Sequence, residues 1–167
     1  MPKMSALKSA VKTGKSKPVA RNIFLSLGSN IEPEKNIPAC LKILKENFKI
    51  VKISSCYETA PVGPAGDKKF WNLAVAIHTS LAPGRLNQKL RQIEKKLKRK
   101  RNSKDKFAPR TIDLDLLPQQ GYQEQGFIII PLAEIAPREK DPETGKTFEK
   151  LGKVFKSGHS IRKIRTK

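Results

Sequence analysis

Histidine, cysteine and acidic side chains are scarce in this chain, and each shortage removes a class of function. His78 and His159 are the only imidazoles, and Cys40 and Cys56 are the only thiols. The cysteines show neither a disulfide framework nor a metal-ligand spacing, so a reducing compartment is expected and a structural zinc site is not. Aromatic residues make up only 6% of the chain, and no aromatic motif of the RNA-reading kind is present. No run of about 18 apolar residues occurs, so no transmembrane helix is expected. Neither G-x-x-x-x-G-K-[ST] nor G-x-G-x-x-G occurs, which excludes P-loop and Rossmann nucleotide sites.

Against 15 acidic residues stand 35 lysines and arginines, a net charge of +20. Residues 1–21 carry six cations and no acid, residues 152–167 carry six more and no acid, and +8 remains for the middle of the chain. This distribution divides the 167 residues into a basic N-terminal tail (1–21), one domain (22–151) and a basic C-terminal tail (152–167). The tails read as solvated segments, or as loose, nonspecific contacts to nucleic-acid phosphates. Without an apolar stretch, the first is not expected to be a secretory signal.

Order is expected from Asn22. Ile23 to Leu27 is an apolar run stopped by Gly28-Ser29-Asn30, a strand ending in a tight turn. Ile37, Cys40, Leu41 and Leu44 fall at helical spacing within Glu34 to Asn47. Ile50 to Tyr57 reads as a strand and Phe70 to Thr79 as another, with a broken Pro/Gly loop between them. Pro83 opens a helix whose apolar face, Leu86, Leu90, Ile93 and Leu97, runs to about Lys100. Thr111 to Leu117 alternates as a further strand, Phe127 to Ile130 is a short strand or a helix start, and Leu132 to Ile135 is a brief helical turn. The order β-α-β-β-α-β, with two helices sharing one sheet face, gives a ferredoxin-like α+β sandwich with an antiparallel sheet.

The segment Lys106 to Leu117 carries the chemistry. On a strand, Asp113 and Asp115 project to the same side while Leu114 and Leu116 pack behind. Two neighbouring carboxylates repel unless a cation lies between them, and magnesium favours such oxygen ligands and bridges them to nucleotide phosphates. Arg99, Arg101 and Arg110 flank the pair. Guanidinium groups bind phosphate oxygens in bidentate fashion, so carboxylates and arginines within one short stretch fit a nucleoside triphosphate site. An isolated D-x-D is also compatible with a half-exposed strand whose polar face happens to be acidic.

Taken with Leu27-Gly28-Ser29-Asn30, Ser54 to Gly63, Phe70-Trp71-Asn72 and Ile93-Glu94, this segment resembles the 6-hydroxymethyl-7,8-dihydropterin pyrophosphokinase family, from about Ile23 to Pro137. The resemblance implies pyrophosphoryl transfer from ATP to a pterin alcohol in folate biosynthesis, in a cytoplasmic, monomeric enzyme. It implies that Asp113 and Asp115 hold two Mg2+ ions, and that Glu94, Arg99, Arg101 and Arg110 face ATP. Arg99, Arg110 and the two aspartates would be the catalytic set. Thr59, Pro61, Val62 and Asn72 would line the pterin pocket, with the ring between Phe70 and Phe127; Trp71, opposite in pleat phase, would pack. The chain departs from the family pattern after Leu117, where the connector is shorter and Gln119 and Gln125 stand at positions of a His and an Arg. A catalytically impaired pterin- or nucleotide-binding relative, or a basic nucleic-acid-binding protein on the same scaffold, are the alternatives.

Overall fold

A computed structural model of the chain describes residues 18–60, 68–101, 104–105, 108–155 and 161–164. In chain order its elements are β1 (Arg21–Ser29), α1 (Pro33–Asn47), β2 (Lys49–Ile53), β3 (Cys56–Thr59), β4 (Phe70–Thr79), α2 (Pro83–Lys96) and β5 (Asp113–Leu117). A 3-10 turn (Tyr122–Glu124), α3 (Gly126–Ile135), α4 (Phe148–Phe155) and β6 (Arg162–Ile164) follow. The strands form a single antiparallel sheet in the order β5-β1-β4-β3-β6, with β2 also paired to β4. The α+β sandwich expected from the sequence is therefore present.

The pleat of β4 sorts the core into two layers. Leu73, Val75 and Ile77 face α1 and α2, meeting Ile37, Cys40, Leu44, Leu86, Leu90 and Ile93. Ala74 and Ala76 face the other way, toward Ile128, Ile129 and Leu132 of α3 and Leu151 of α4. The two expected helices do share one sheet face, and α3 and α4 cover the second. No helix among the described residues is long and apolar enough to cross a membrane.

Three expectations change. The strand read over Ile50 to Tyr57 is split into β2 and β3 at Ser54-Ser55. Ser54 donates its N–H to the Ala74 carbonyl at 2.9 Å, and its hydroxyl accepts the Ala74 N–H, also at 2.9 Å. A side chain thus takes the place of a ladder carbonyl, and the strand bends there. Next, 127–135 is one helix rather than a strand or helix start followed by a turn; an apolar run of this kind fits either period, so its sequence pattern did not decide. Finally, residues 152–164 are not a tail throughout. α4 continues to Phe155, and β6 pairs with β3, with Ile164 packed on the core. Arg162 meets Glu58 at 3.1 Å and Lys163 meets Glu134 at 3.6 Å. A short charged edge strand has the composition of a solvated tail, which is why charge alone misread it. Residues 1–17 of the N-terminal basic segment lie outside the described residues.

The connector after Leu117 is fastened by a buried polar pair. Tyr122 Oη donates to Asp141 Oδ1 at 2.5 Å, and Thr144 donates its N–H (2.7 Å) and hydroxyl (2.5 Å) to Asp141 Oδ2. Burial pushes the Asp141 carboxyl up, but the Thr144 and Tyr122 hydroxyls and the backbone N–H groups of Thr144 and Glu143 outweigh it and hold it below its ordinary value. A lowered carboxyl stabilises the fold above its unfolded pKa, and that stability is lost as pH falls through the folded value. Tyr122→Phe should therefore lower unfolding free energy by about 1–3 kcal/mol at neutral pH. Urea titrations should show the difference from wild type shrinking once Asp141 protonates.

Candidate active site

Register brings the polar residues to one end of the sheet. Gly28 of β1 lies opposite Asn72 of β4 on one side and Asp113 of β5 on the other, while Tyr57 of β3 lies opposite Asn72. One step along, Ser26 lies between Ala74 and Asp115, and one further, Phe24 lies between Ala76 and Leu117. All these residues share the face covered by α3 and α4. The face is apolar at the Phe24 end and polar at the Gly28 end, and Asp113 and Asp115 lie on the same side, as the strand period predicts.

Gly28 forms a bare floor. A Cβ there would come within 3.1 Å of Asn72 Oδ1 and 4.0 Å of both the Asp113 Cβ and the Phe70 ring. Asn72 is buried and donates through Nδ2 to Thr59 Oγ1 at 2.9 Å. That bond fixes the amide with its carbonyl oxygen turned over Gly28.

The arginines arrive from two directions. α2 ends in a Schellman cap: Lys98 N–H donates to Lys95 O and Arg99 N–H to Glu94 O, each at 3.0 Å, with Lys98 at φ 60° in the left-handed region. The chain reverses there and carries Arg99 back over its own helix end. Arg99 pairs with both Glu94 and Asp113, and Arg110 pairs with the other oxygen of Asp113. Glu94, only 2% exposed, also takes Arg101 at 2.5 Å and the Leu114 N–H at 3.0 Å. Arg110 lies 6.0 Å from the Phe70 ring centroid, a cation–π contact. Asp115 has no ion-pair partner among the described residues. Burial pushes its carboxyl up to about 6, with the Asp113 and Glu94 charges adding to the shift and Arg99 and Arg110 opposing it.

Asn30 and Ser29 received no role from the sequence, yet they hold the site together. Asn30 Oδ1 accepts the Arg110 N–H at 2.7 Å, its own N–H donates to the Arg110 carbonyl at 3.2 Å, and Ser29 Oγ donates to Thr111 O at 2.6 Å. The Gly28-Ser29-Asn30 run is the signal that could have found them, although β1 continues through Ser29 where the sequence suggested a turn. Asn30 Nδ2 and Thr111 Oγ1 are buried without a partner among the described residues, the kind of orphaned polar group that collects at functional sites.

Of the expected site residues, Thr59, Phe70, Asn72, Glu94, Arg99, Arg101, Arg110, Asp113 and Asp115 converge on this end of the sheet. Phe127 is half-buried in the first turn of α3, against the core beneath it. Pro61 and Val62 lie outside the described residues. Trp71 packs on the opposite, α1/α2 side, as its pleat phase requires. Gln119 and Gln125 belong to the compact connector: the Gln119 carbonyl accepts the Tyr122 N–H at 3.2 Å, and Gln125 precedes α3.

Residues 24–137 match the 7,8-dihydro-6-hydroxymethylpterin-pyrophosphokinase family. The chain belongs to that family. Among its relatives, the 2-amino-4-hydroxy-6-hydroxymethyldihydropteridine pyrophosphokinase of Bacillus subtilis (strain 168) is 34% identical over 156 residues, covering 83% of this chain and 92% of its own. The protein of the same description from Pseudomonas aeruginosa is 32% identical over 140 residues, 74% of this chain and 85% of its own. That of Synechocystis is 34% identical over 144 residues, 76% and 72%. The matched region of this pyrophosphokinase-family chain contains every residue of the polar cluster, from Gly28 to Asp115.

Two outcomes test the electrostatics. Glu94→Ala removes a buried anion from two guanidiniums and a backbone N–H, and should cost about 3–5 kcal/mol in chemical denaturation. Asp115→Asn should do the reverse. A carboxyl whose folded pKa is raised contributes stability below its unfolded pKa and loses it as pH rises through about 6. The variant should therefore melt a few degrees above wild type at pH 8, and no higher than wild type at pH 4.

Proposed function

We propose that the chain transfers a pyrophosphoryl group from ATP to 6-hydroxymethyl-7,8-dihydropterin, producing AMP and the pterin diphosphate of folate biosynthesis. One observation carries this reading: in a member of the family, a fixed amide, an aromatic ring and Asp113 border a glycine floor, with Asp115 on the same face and three arginines gathered on Asp113 and Glu94. A flat heteroaromatic ring needs such a floor, with a stacking partner in Phe70 and a polar edge reader in Asn72. Thr59 orients that amide, and Pro61, Val62 and Phe127 complete the pterin pocket in this reading.

The pterin hydroxyl attacks the β-phosphorus in line. A bond from its oxygen to that phosphorus forms, the α,β-bridging bond breaks, AMP leaves, and the hydroxyl proton is lost to solvent. The protein's part is positioning and charge neutralisation. Arg99 and Arg110, held on Asp113 in the free protein, are placed to meet the phosphates, with Arg101 beside them and Glu94 orienting both Arg99 and Arg101. The Arg110–Phe70 contact sets the phosphate side directly against the ring side.

The donor set fits magnesium. Asp113 and Asp115 are hard oxygen ligands two apart on one strand, and the raised Asp115 carboxyl has no cation partner among the described residues. These two residues would hold the metal, as two ions with ATP, and it would supply charge neutralisation on the triphosphate. Magnesium held by one or two carboxylates draws its remaining ligands from phosphate and water. The same reading places the enzyme in the cytoplasm as a monomer. Two buried free thiols, Cys40 and Cys56, suit a reducing compartment.

Asp113→Ala should keep the fold, by circular dichroism, and lower AMP release on the order of 100-fold or more, with the loss in kcat rather than in pterin affinity. AMP formation close to the wild-type rate would overturn the assignment. Wild-type protein that binds both substrates without releasing AMP in excess magnesium would overturn the activity itself.

A further inference from the structure

Helix α2 has two faces with separate chemistry. Its inner face, Leu86, Leu90, Ile93 and Glu94, is buried. The outward face and the turn beyond it present Arg85, Arg91, Lys95, Lys96, Lys98 and Lys100, all exposed. None of the six is in an ion pair among the described residues. Glu94 is the only acid in the helix, and it is engaged by Arg99 and Arg101. Favourable placement at a helix C-terminus accounts for Lys95 and Lys96. It does not account for Arg85 at the other end or for Arg91 in the middle.

At about 100° per residue, Arg85 and Lys96 fall on one flank of the exposed face and Arg91 and Lys95 on the other, with Gln88 and Gln92 between them. We infer that this face of α2 is a docking surface for the phosphate backbone of double-helical DNA. A helix of this size, about 10–12 Å across with its side chains, matches the roughly 12 Å major groove of B-form DNA. Two cationic flanks then meet phosphates on both walls of the groove, and the glutamines face its floor. Other partners fit less well. The exposed large hydrophobic residues are Val19, Val51 and Val154, none on α2, so the face offers nothing to insert into a membrane and no apolar centre for a protein interface. It carries no aromatic ring on which single-stranded bases could stack. The narrow, deep major groove of duplex RNA excludes a helix.

The test is fluorescence anisotropy of a labelled DNA duplex with the full chain, between about 50 and about 200 mM salt. The comparison is the triple variant Arg85→Gln/Lys95→Gln/Lys96→Gln, whose AMP-forming activity and melting curve should match wild type. We expect affinity to fall steeply with salt, and the variant to lose at least tenfold in affinity at the low-salt end and about 3 in the log–log salt slope. Four results would each overturn the proposal: no duplex binding at the low-salt end; binding unchanged in the variant, which would place the contacts in the chain termini; equal affinity for duplex RNA; or a larger effect of the substitutions on binding to phosphatidylserine vesicles. Turnover is read separately, so failure here leaves the pyrophosphokinase reading to its own assay.

Discussion

The site is organised around one buried carboxylate. Glu94 lies at the end of α2, and it grips two guanidiniums and the Leu114 N–H. A carboxylate in that position is costly unless fully paired, and here every partner comes from a different stretch of chain. Arg99 comes from the helix cap, Arg101 from the chain beyond it and the N–H from β5. The same charge that would destabilise the fold alone therefore fixes the relation between α2, the arginine-bearing turn and the strand of aspartates. Asp113 extends the network by taking Arg99 on one oxygen and Arg110 on the other, so the groups proposed to meet phosphate and metal are held against each other in the free protein. On the proposed function, a polyanion and a cation arriving together would replace that pairing without leaving a buried charge unpaired.

The sheet register does the rest. A single row across four strands, Asp113, Gly28, Asn72 and Tyr57, sets the spacing of the polar groups at this end of the sheet. Toward the Phe24 end of the same face the residues turn apolar and α3 and α4 close over them. The boundary between apolar core and polar cluster thus lies within individual strands. On β4, a single residue separates Asn72, in the polar row, from the core-facing Ala74.

Much of this was legible beforehand because period-2 alternation is unambiguous where one face is acidic and the other aliphatic, as in Asp113 to Leu117. The helical faces of α1 and α2 were equally plain. What the pattern hid has physical causes. Ser54 breaks a strand through a side-chain hydrogen bond that no periodicity reveals. α3 is apolar nearly all round, so neither period stands out. β6 is charged because it is an edge, and charge alone cannot separate an edge strand from a solvated tail. Asn30 was visible only as part of a turn, since its work is done through Arg110, eighty residues away in sequence.

The two margins of the sheet are treated differently. On the β3 side, β6 is only three residues long and bears Arg162 and Lys163, a poor template for another chain. On the β5 side, the Leu114 N–H would face outward unpaired if Glu94 did not occupy it. The arginine clasp is therefore also a guard against strand addition. Any change that frees Glu94 would leave that N–H open on an aliphatic edge strand and favour self-association, at the same time as it released Arg99 and Arg101.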